Sequence, residues 1–330
     1  MPRALVLGAT GHIGAHIVRA LLADGHQVRA AYRQDRYLAL LDGLSIQRIR
    51  LDLEHPADLR TAAAGCEWIF HAAGYYPPFQ DRRDRAVARG VETIRRTLEV
   101  LRTVAAQRIV FTSSASTIQR IPGRLATEQD AEPWPLTQWR PVYAAVKTAM
   151  EHEVLRAAGD GVPIVVVNPS LCIGEYDAHP FSGRVVLMFA RRRLPIYVHY
   201  TFNTIYTGDV GIGHVRAAQR GRVGERYLLA HRNITLKEFA ILVAREAGVS
   251  PPWLQVPGAV ASAAAMASEA LGWLTRQEPL LPQEVVRTTR QGQRLDPTKA
   301  VHELGLPQTP IAEAVHRCVG WFRQQGYLSK

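Results

Sequence analysis

The sequence predicts an α/β fold, a doubly wound parallel sheet followed by a smaller, mostly helical C-terminal lobe. Three observations predict it. Strand-like and helix-like segments alternate through the first half, the pattern of a parallel sheet with helices on both faces. A glycine-rich stretch, Gly8–Gly14, sits between the first strand and the first helix. Past Asn168 the alternation stops, and the last third is helical between breaks at Pro251-Pro252, Pro282 and Pro307. The chain has 330 residues, and at ~150 residues per domain that allows two units. The expected division is a dinucleotide-binding unit over 1–170 and a substrate lobe over 171–330. Segments around 203–230 are expected to return to the main sheet.

Each element has its own justification. Arg3–Gly8 is a short apolar strand. In His12–Gly25, Ile13, Ile17, Val18, Leu21 and Leu22 recur at helical period before Asp24-Gly25 closes the helix. Gln27–Tyr32 and Ile46–Arg50 read as the next strands, and a helix is entered at Pro56. Glu67–His71 is a fourth strand, running into Ala72-Ala73-Gly74. Arg83–Ala106 is a long amphipathic helix carrying Val87, Val91, Ile94, Leu98 and Leu101, a pattern that suits a core face or a partner face. Arg108–Thr112 is a fifth strand, Pro141–Ala158 a helix and Pro163–Asn168 a sixth strand. In the second half, Ser182–Arg193 and Asp209–Gln219 read as helices. Ile196–His199, Asn203–Tyr206 and Arg226–Ala230 read as short strands. The longest apolar run, Gly258–Ser268, is Ala-rich and reads as a packed helix, with a lid or membrane-surface helix as the alternative.

Composition narrows the function. Hydrophobic residues make up 47% and charged residues 21%, the balance of a globular protein. Cys66, Cys172 and Cys318 stand far apart, which removes a disulfide framework and any Cys-x-x-Cys metal site. A reducing, cytoplasmic setting is expected. The net charge is +11, and all but four of the 40 basic residues are arginine. That bias fits genome composition, or attraction of an anionic ligand such as a phosphorylated cofactor. Basic residues are dispersed with no nucleic-acid motif, so no nucleic-acid partner is expected. No run reaches the ~20 apolar residues of a span, so no membrane partner is expected either. The twelve histidines show no metal-ligand spacing, and no metal is expected.

Three motifs carry chemistry. Gly8-Ala9-Thr10-Gly11-His12-Ile13-Gly14 has the spacing G-x-x-G-x-x-G; between a strand and a helix it lets backbone N–H groups approach a pyrophosphate. A plain tight turn is the bland alternative. Tyr143-x-x-x-Lys147 places a phenol and an ammonium one helical turn apart. The ammonium is expected to lower the phenol pKa from ~10 and fit it for general acid/base work. Thr112-Ser113-Ser114 ends the fifth strand, where a hydroxyl can hydrogen-bond a substrate oxygen.

Together with Asp52-Leu53, His71-Ala-Ala-Gly74, Phe111-Thr-Ser-Ser-Ala115 and Asn168-Pro-Ser170, these motifs resemble the extended branch of the short-chain dehydrogenase/reductase superfamily, with its Rossmann sheet. Gly224-Glu-Arg-Tyr-Leu-Leu229 and Asn233-Ile-Thr-Leu236 are similar to dihydroflavonol reductase-like proteins and the sugar epimerases grouped near them. The resemblance implies Tyr143 as the acid/base. It implies Lys147 on the phenol and the nicotinamide ribose, and Ser114, ahead of Ser113, on the substrate carbonyl. It implies Asp52 and Leu53 at the adenine, Ala72 and Ala73 along the cofactor, and Pro169 beside the nicotinamide. It also brings in a homodimer, through the helices 83–106 and 141–158. Two departures stand out. The family's Asn-x-x-Gly-Thr is replaced by Gly90-Val91-Glu92-Thr93-Ile94. The Tyr-Gly common in sugar-nucleotide epimerases is replaced by Ser116-Thr117-Ile118-Gln119.

The expected activity is interconversion of a secondary alcohol and a ketone on a small molecule, with NADP preferred over NAD. A nucleotide-sugar epimerase or dehydratase, and a non-catalytic NADP sensor, are the alternatives. The preference rests on Arg33, placed just past the second strand to pair with a 2′-phosphate, with Arg36 assisting. Asp35 lies 21 residues past Gly14, near the ~20 expected of an NAD-selective acid, but beyond the strand end. Tyr75, Tyr76 and Phe79 are candidates for core packing or an apolar substrate wall. Arg192, within Arg191–Arg193, suits a helix C-terminus or a substrate phosphate.

Overall fold

A computed structural model describes residues 1–77, 81–131, 141–191, 195–275, 286 and 292–329. The first half runs β1 (Arg3–Leu7), α1 (His12–Ala23), β2 (Gln27–Tyr32), β3 (Gln47–Arg50), α2 (Pro56–Ala63), β4 (Trp68–His71), α3 (Arg83–Leu101), β5 (Arg108–Thr112), α4 (Val142–Gly159) and β6 (Ile164–Pro169). The second runs β7 (Leu171–Ile173), α5 (Gly183–Ala190), β8 (Ile196–Tyr197), β9 (Thr201–Tyr206), α6 (Thr207–Arg220), β10 (Arg226–Leu229), β11 (Arg232–Thr235), α7 (Leu236–Ala247), β12 (Leu254–Gln255), α8 (Gly258–Thr275) and α9 (Ile311–Gln324).

The main sheet has seven parallel strands in the order β10-β6-β5-β4-β1-β2-β3. Strand order reverses between β1 and β4, and that reversal opens a crevice beyond the strands' carboxyl ends. The inner strands are apolar runs because helices cover both faces; every residue of β6 is buried. One face packs α1 and α6 around Val6, Phe70, Val110 and Val167. The other packs α2, α3 and α4 around Leu7, Ile69, Phe111 and Val166. Gly90 sets how closely α3 and α4 approach, since a Cβ there would lie 2.8 Å from Val146 Cγ1. That gives the departure at 90–94 a packing reason. On α3, Ile94, Leu98 and Leu101 are core, and Val87 and Val91 are partly buried. The outer strand β3 carries Gln47, Arg48 and Arg50 and is mostly exposed; charge there discourages edge pairing.

The lobe is mostly helical, as expected, with short strands beside the helices. A second sheet, β11-β9-β7, and a two-stranded pair, β12-β8, lie within it. The core here joins α5, α7 and α9 around Phe202, Phe239, Trp321 and Phe322. The helix expected over Gly258–Ser268 extends to Thr275, and it is not a packed one. Only Ala261, Ala265 and Gly272 are buried, whereas Val260, Met266, Leu271, Trp273 and Leu274 are exposed. Its inward side is built of small residues, so little surface is buried against the lobe. None of the described helices is long and apolar enough to cross a membrane.

Candidate active site

The turn after β1 is shaped by close approach. Gly8 has φ +82°, and a Cβ on it would lie 2.9 Å from Ala73 Cα. A Cβ on Gly14 would lie 2.0 Å from the Gly8 carbonyl oxygen. Only glycine therefore lets α1 start against the turn. Gly11 caps α1 with no side-chain bond, and no acidic residue occupies its first turn. The leading N–H groups and the positive end of the helix dipole are left for an anion. Thr10 is partly buried beside them and Ile13 packs into the core. The His12 ring is engaged elsewhere: Thr207 Oγ1 lies 3.0 Å from Nε2, and Asp177 lies 3.9 Å from Nδ1. What His12 offers a pyrophosphate is its backbone N–H.

Three more strand ends border the crevice. Ala72 and Ala73 follow β4, and Pro169 closes β6, buried and paired with Leu229. His71 Nε2, Ser113 Oγ and Ser170 Oγ are buried with no partner among the described residues. Those polar atoms, and the glycine cradle, fit a ligand with a pyrophosphate and a polar ring amide. Asp52 is partly buried and its carboxylate accepts from Glu54 N–H at 3.2 Å. Leu53 packs beside it on the core.

Tyr143 stands in the first turn of α4 and Lys147 one turn on. Lys147 is buried and Nζ donates to the Thr112 carbonyl at 3.2 Å. Burial lowers its pKa to about 8, against a raising influence from Glu151. The Ser114 hydroxyl bonds the Tyr143 phenol and accepts from Ser116 N–H at 3.2 Å. Serine, tyrosine and lysine thus meet at the carboxyl end of β5. One expectation is corrected. The Tyr143 pKa is raised well above its ordinary value, first by burial and then by Tyr76. The Lys147 ammonium is aimed at a carbonyl and sits 6.0 Å from the Tyr143 ring centroid. At neutral pH the phenol keeps its proton and can donate it.

Tyr76 stacks on Tyr143 with ring centroids 5.2 Å apart and planes 7° apart, and Phe181 lies 5.0 Å from Tyr76. Both outer rings are more than half exposed, so the Tyr143 phenol opens onto an aromatic wall. Tyr75 is not part of it; its ring packs toward α3 and α4, with Asp81 3.5 Å from its hydroxyl. Arg192 and Phe79 lie outside the described residues. Sequence reasoning missed Phe181, which follows β7 in a segment without periodicity. It also missed Glu151, although its spacing of four from Lys147 is a readable signal.

The profile of the NAD dependent epimerase/dehydratase family matches residues 4–230. The chain belongs to that family. As a member it is an extended short-chain dehydrogenase/reductase, an enzyme of the NAD-dependent epimerase/reductase kind. It is 34% identical to a Synechocystis protein named "Putative dihydroflavonol 4-reductase", over 98% of this chain and 95% of that one. It is 31% identical to Sterol demethylase protein B of Methylococcus capsulatus, over 98% and 99% of the two chains. Among solved structures, a nucleoside-diphosphate-sugar epimerase from Pseudomonas aeruginosa superposes with a TM-score of 0.81 at 27% identity, covering 99% of each chain. The family match spans the glycine turn, Ser114, Tyr143 and Lys147, and it ends at the last strand of the main sheet.

Proposed function

We propose that this family member is an NADP-preferring oxidoreductase that interconverts a secondary alcohol and a ketone, in a reducing cytoplasmic setting. The observation that carries the reading is the meeting of Ser114, Tyr143 and Lys147 at the carboxyl end of β5. In the reductive direction Ser114 donates a hydrogen bond to the ketone oxygen. Tyr143 then gives that oxygen its proton; its raised pKa ensures that the proton is there to give at neutral pH. Lys147, held by the Thr112 carbonyl, acts on the phenolate only at a distance, its Nζ 6.0 Å from the ring centroid. Bound nicotinamide supplies or takes the hydride. The residues that would hold the cofactor are Gly8, Thr10, Gly11, His12, Ile13 and Gly14 at the pyrophosphate, and Asp52 and Leu53 at the adenine. Arg33 serves at the 2′-phosphate, Ala72 and Ala73 along the crevice, Lys147 at the ribose and Pro169 at the nicotinamide.

The Tyr76–Phe181 wall argues for an apolar ring substrate, and two relatives carry a dihydroflavonol and a sterol in their names. A homodimer is inferred through α3 and α4, where Arg83, Val87, Ala88, Ala145, Ala149 and His152 line a shallow concavity between the two helices. Light scattering at micromolar concentration tests that; a strictly monomeric mass removes it.

The activity is tested by a screen of ring ketones at the nicotinamide absorbance, with Tyr143→Phe as the control. The variant is expected to bind cofactor normally and to lose roughly 10²-fold or more in turnover. Near-normal turnover in that variant would overturn the mechanism. A tightly held, non-exchanging NAD with no net ketone reduction would favour the epimerase reading, to which the Pseudomonas structure lends weight.

A further inference from the structure

A buried chain of hydrogen bonds runs behind the catalytic residues. Arg226 on β10 donates Nε–H to Glu151 Oε1 at 2.5 Å. Asn168 on β6 donates from Nδ2 to Glu151 Oε2 at 2.7 Å and to Thr117 Oγ1 at 3.0 Å. Thr117 in turn donates its hydroxyl to the Ser114 carbonyl at 2.9 Å. Glu151 is 1% exposed, Asn168 0% and Thr117 1%. Thr117 Oγ1 also lies 3.2 Å from Glu151 Oε2, and Asn168 Nδ2 reaches the Ser114 carbonyl directly at 3.3 Å, so the chain ends by two routes on the backbone of the serine that faces the phenol.

Glu151 is also the third residue of a series on α4, after Tyr143 and Lys147, at spacings of four. Residues so spaced share one side of a helix. Lys147 is faced by the Thr112 carbonyl and the Phe111 ring from β5, by His71 from β4, and by Tyr143 and Glu151 on its own helix. Among these neighbours Glu151 supplies the negative charge. Arg226, Asn168 and Thr117 face Glu151 from β10, β6 and the turn after β5.

We propose that Glu151 is a positioning residue with two tasks: its carboxylate fixes the Ser114 turn through Asn168 and Thr117, and it places a counter-charge one helical turn from Lys147. The proposal rests on the oxidoreductase reading for its kinetic consequences and on the hydrogen-bond chain alone for its electrostatic one. A residue that merely filled space would support the fold, yet leave the titration of Lys147 where it was.

The test uses the sparsity of lysine. With only Lys147, Lys237, Lys299 and Lys330 in the chain, 13C-labelled lysine gives four Cε resonances. Lys147 is identified by the signal lost in Lys147→Arg. In the unmodified protein its midpoint is expected near 8. In Glu151→Gln, which keeps the shape and removes the charge, it is expected to fall by on the order of one pH unit. The alkaline limb of kcat is expected to move with it. Glu151→Asp keeps the charge but shortens the reach, so the midpoint should stay while kcat falls. Thr117→Val removes the shorter of two bonds to the Ser114 carbonyl, the other coming from Asn168 Nδ2 at 3.3 Å, and leaves the charge, with the same expected result. An unmoved Lys147 midpoint in folded Glu151→Gln overturns the counter-charge. Unchanged kcat in Thr117→Val overturns the positioning, and stands as a test even where Glu151 variants do not fold. The titration needs neither ketone nor nicotinamide. A shifted midpoint in a protein that reduces no ketone would therefore fault the proposed reaction and not the role of Glu151.

Discussion

On the proposed cofactor preference, the two residues that separate Arg33 from Asp35 decide which side chain serves the ribose. Asp35 opens a short 3-10 turn (Asp35–Leu41), and its carboxylate lies 3.9 Å from Arg50 Nη1. Arg33 directly follows β2, is exposed, and forms no ion pair among the described residues. On the proposed preference, NADPH binds tighter than NADH by ~1.5–3 kcal/mol, the scale of hydrogen bonds to a charged group. Arg33→Ala erases most of that difference and leaves NADH nearly unchanged; calorimetry showing equal affinities in the unmutated protein would refute it. Gly14→Ala forces a Cβ to within 2.0 Å of the Gly8 oxygen, so α1 must move off the turn. A dinucleotide affinity at least about tenfold weaker is expected from that overpacking, and an unaltered dissociation constant in fluorescence titration would count against the cradle. Tyr143, Lys147 and Ser114 were legible because strand exit and helical spacing fix where they stand. Protonation was not legible, because it depends first on burial in the folded site and then on Tyr76 from a loop 67 residues earlier, neither of which a local pattern encodes.

At the scale of elements, legibility followed how each strand is buried. The inner strands of the main sheet are covered on both faces and read as apolar runs, and β2 and β5 have the bounds expected of them. Strands β7 and β12 have only three and two residues, too few for any period, whereas β8 lies within the short strand expected over Ile196–His199. Helix α8 misled for another reason: alanine is apolar by composition yet buries little area. By contrast α7 announces itself with a capping box, in which Thr235 Oγ1 accepts from Glu238 N–H at 3.2 Å and the Glu238 carboxylate accepts from Thr235 N–H at 2.9 Å. Those bonds satisfy two otherwise orphaned donors. Thr235→Ala is expected to cost about 1 kcal/mol. Since α7 packs into the lobe core through Phe239 and Val243, the loss should appear in global urea unfolding. An unchanged midpoint would mean the box is redundant.

Across the whole molecule, buried histidines tie stability to pH. His71 and His214 are nearly inaccessible, and burial lowers both to about 4. His12 and His16 are lowered by the same cause. His214 donates from Nδ1 to the Val210 carbonyl at 2.7 Å and accepts from Thr112 Oγ1 at Nε2, 2.8 Å away. The neutral ring therefore links α6 to β5, the strand that presents Ser114. An unfolded chain takes up protons at about 6.5, whereas the folded one refuses them until about 4. The stability these residues contribute is complete above about 6.5 and is lost as pH falls from there to about 4. His71 and His214 are each worth up to ~3 kcal/mol across that window by linkage. Glu128 and Asp209, raised by burial, oppose the loss, because the folded chain holds their protons more tightly than the open one. Five lowered histidines, His231 included, outweigh two raised carboxyls, so the melting temperature should drop between pH 6.5 and 4. His214→Gln removes one titrating ring while keeping a donor and an acceptor. It should melt lower than the parent at pH 7 and lose less on acidification to pH 5. Calorimetry decides this: an equal drop in both proteins would show that His214 does not carry the pH dependence.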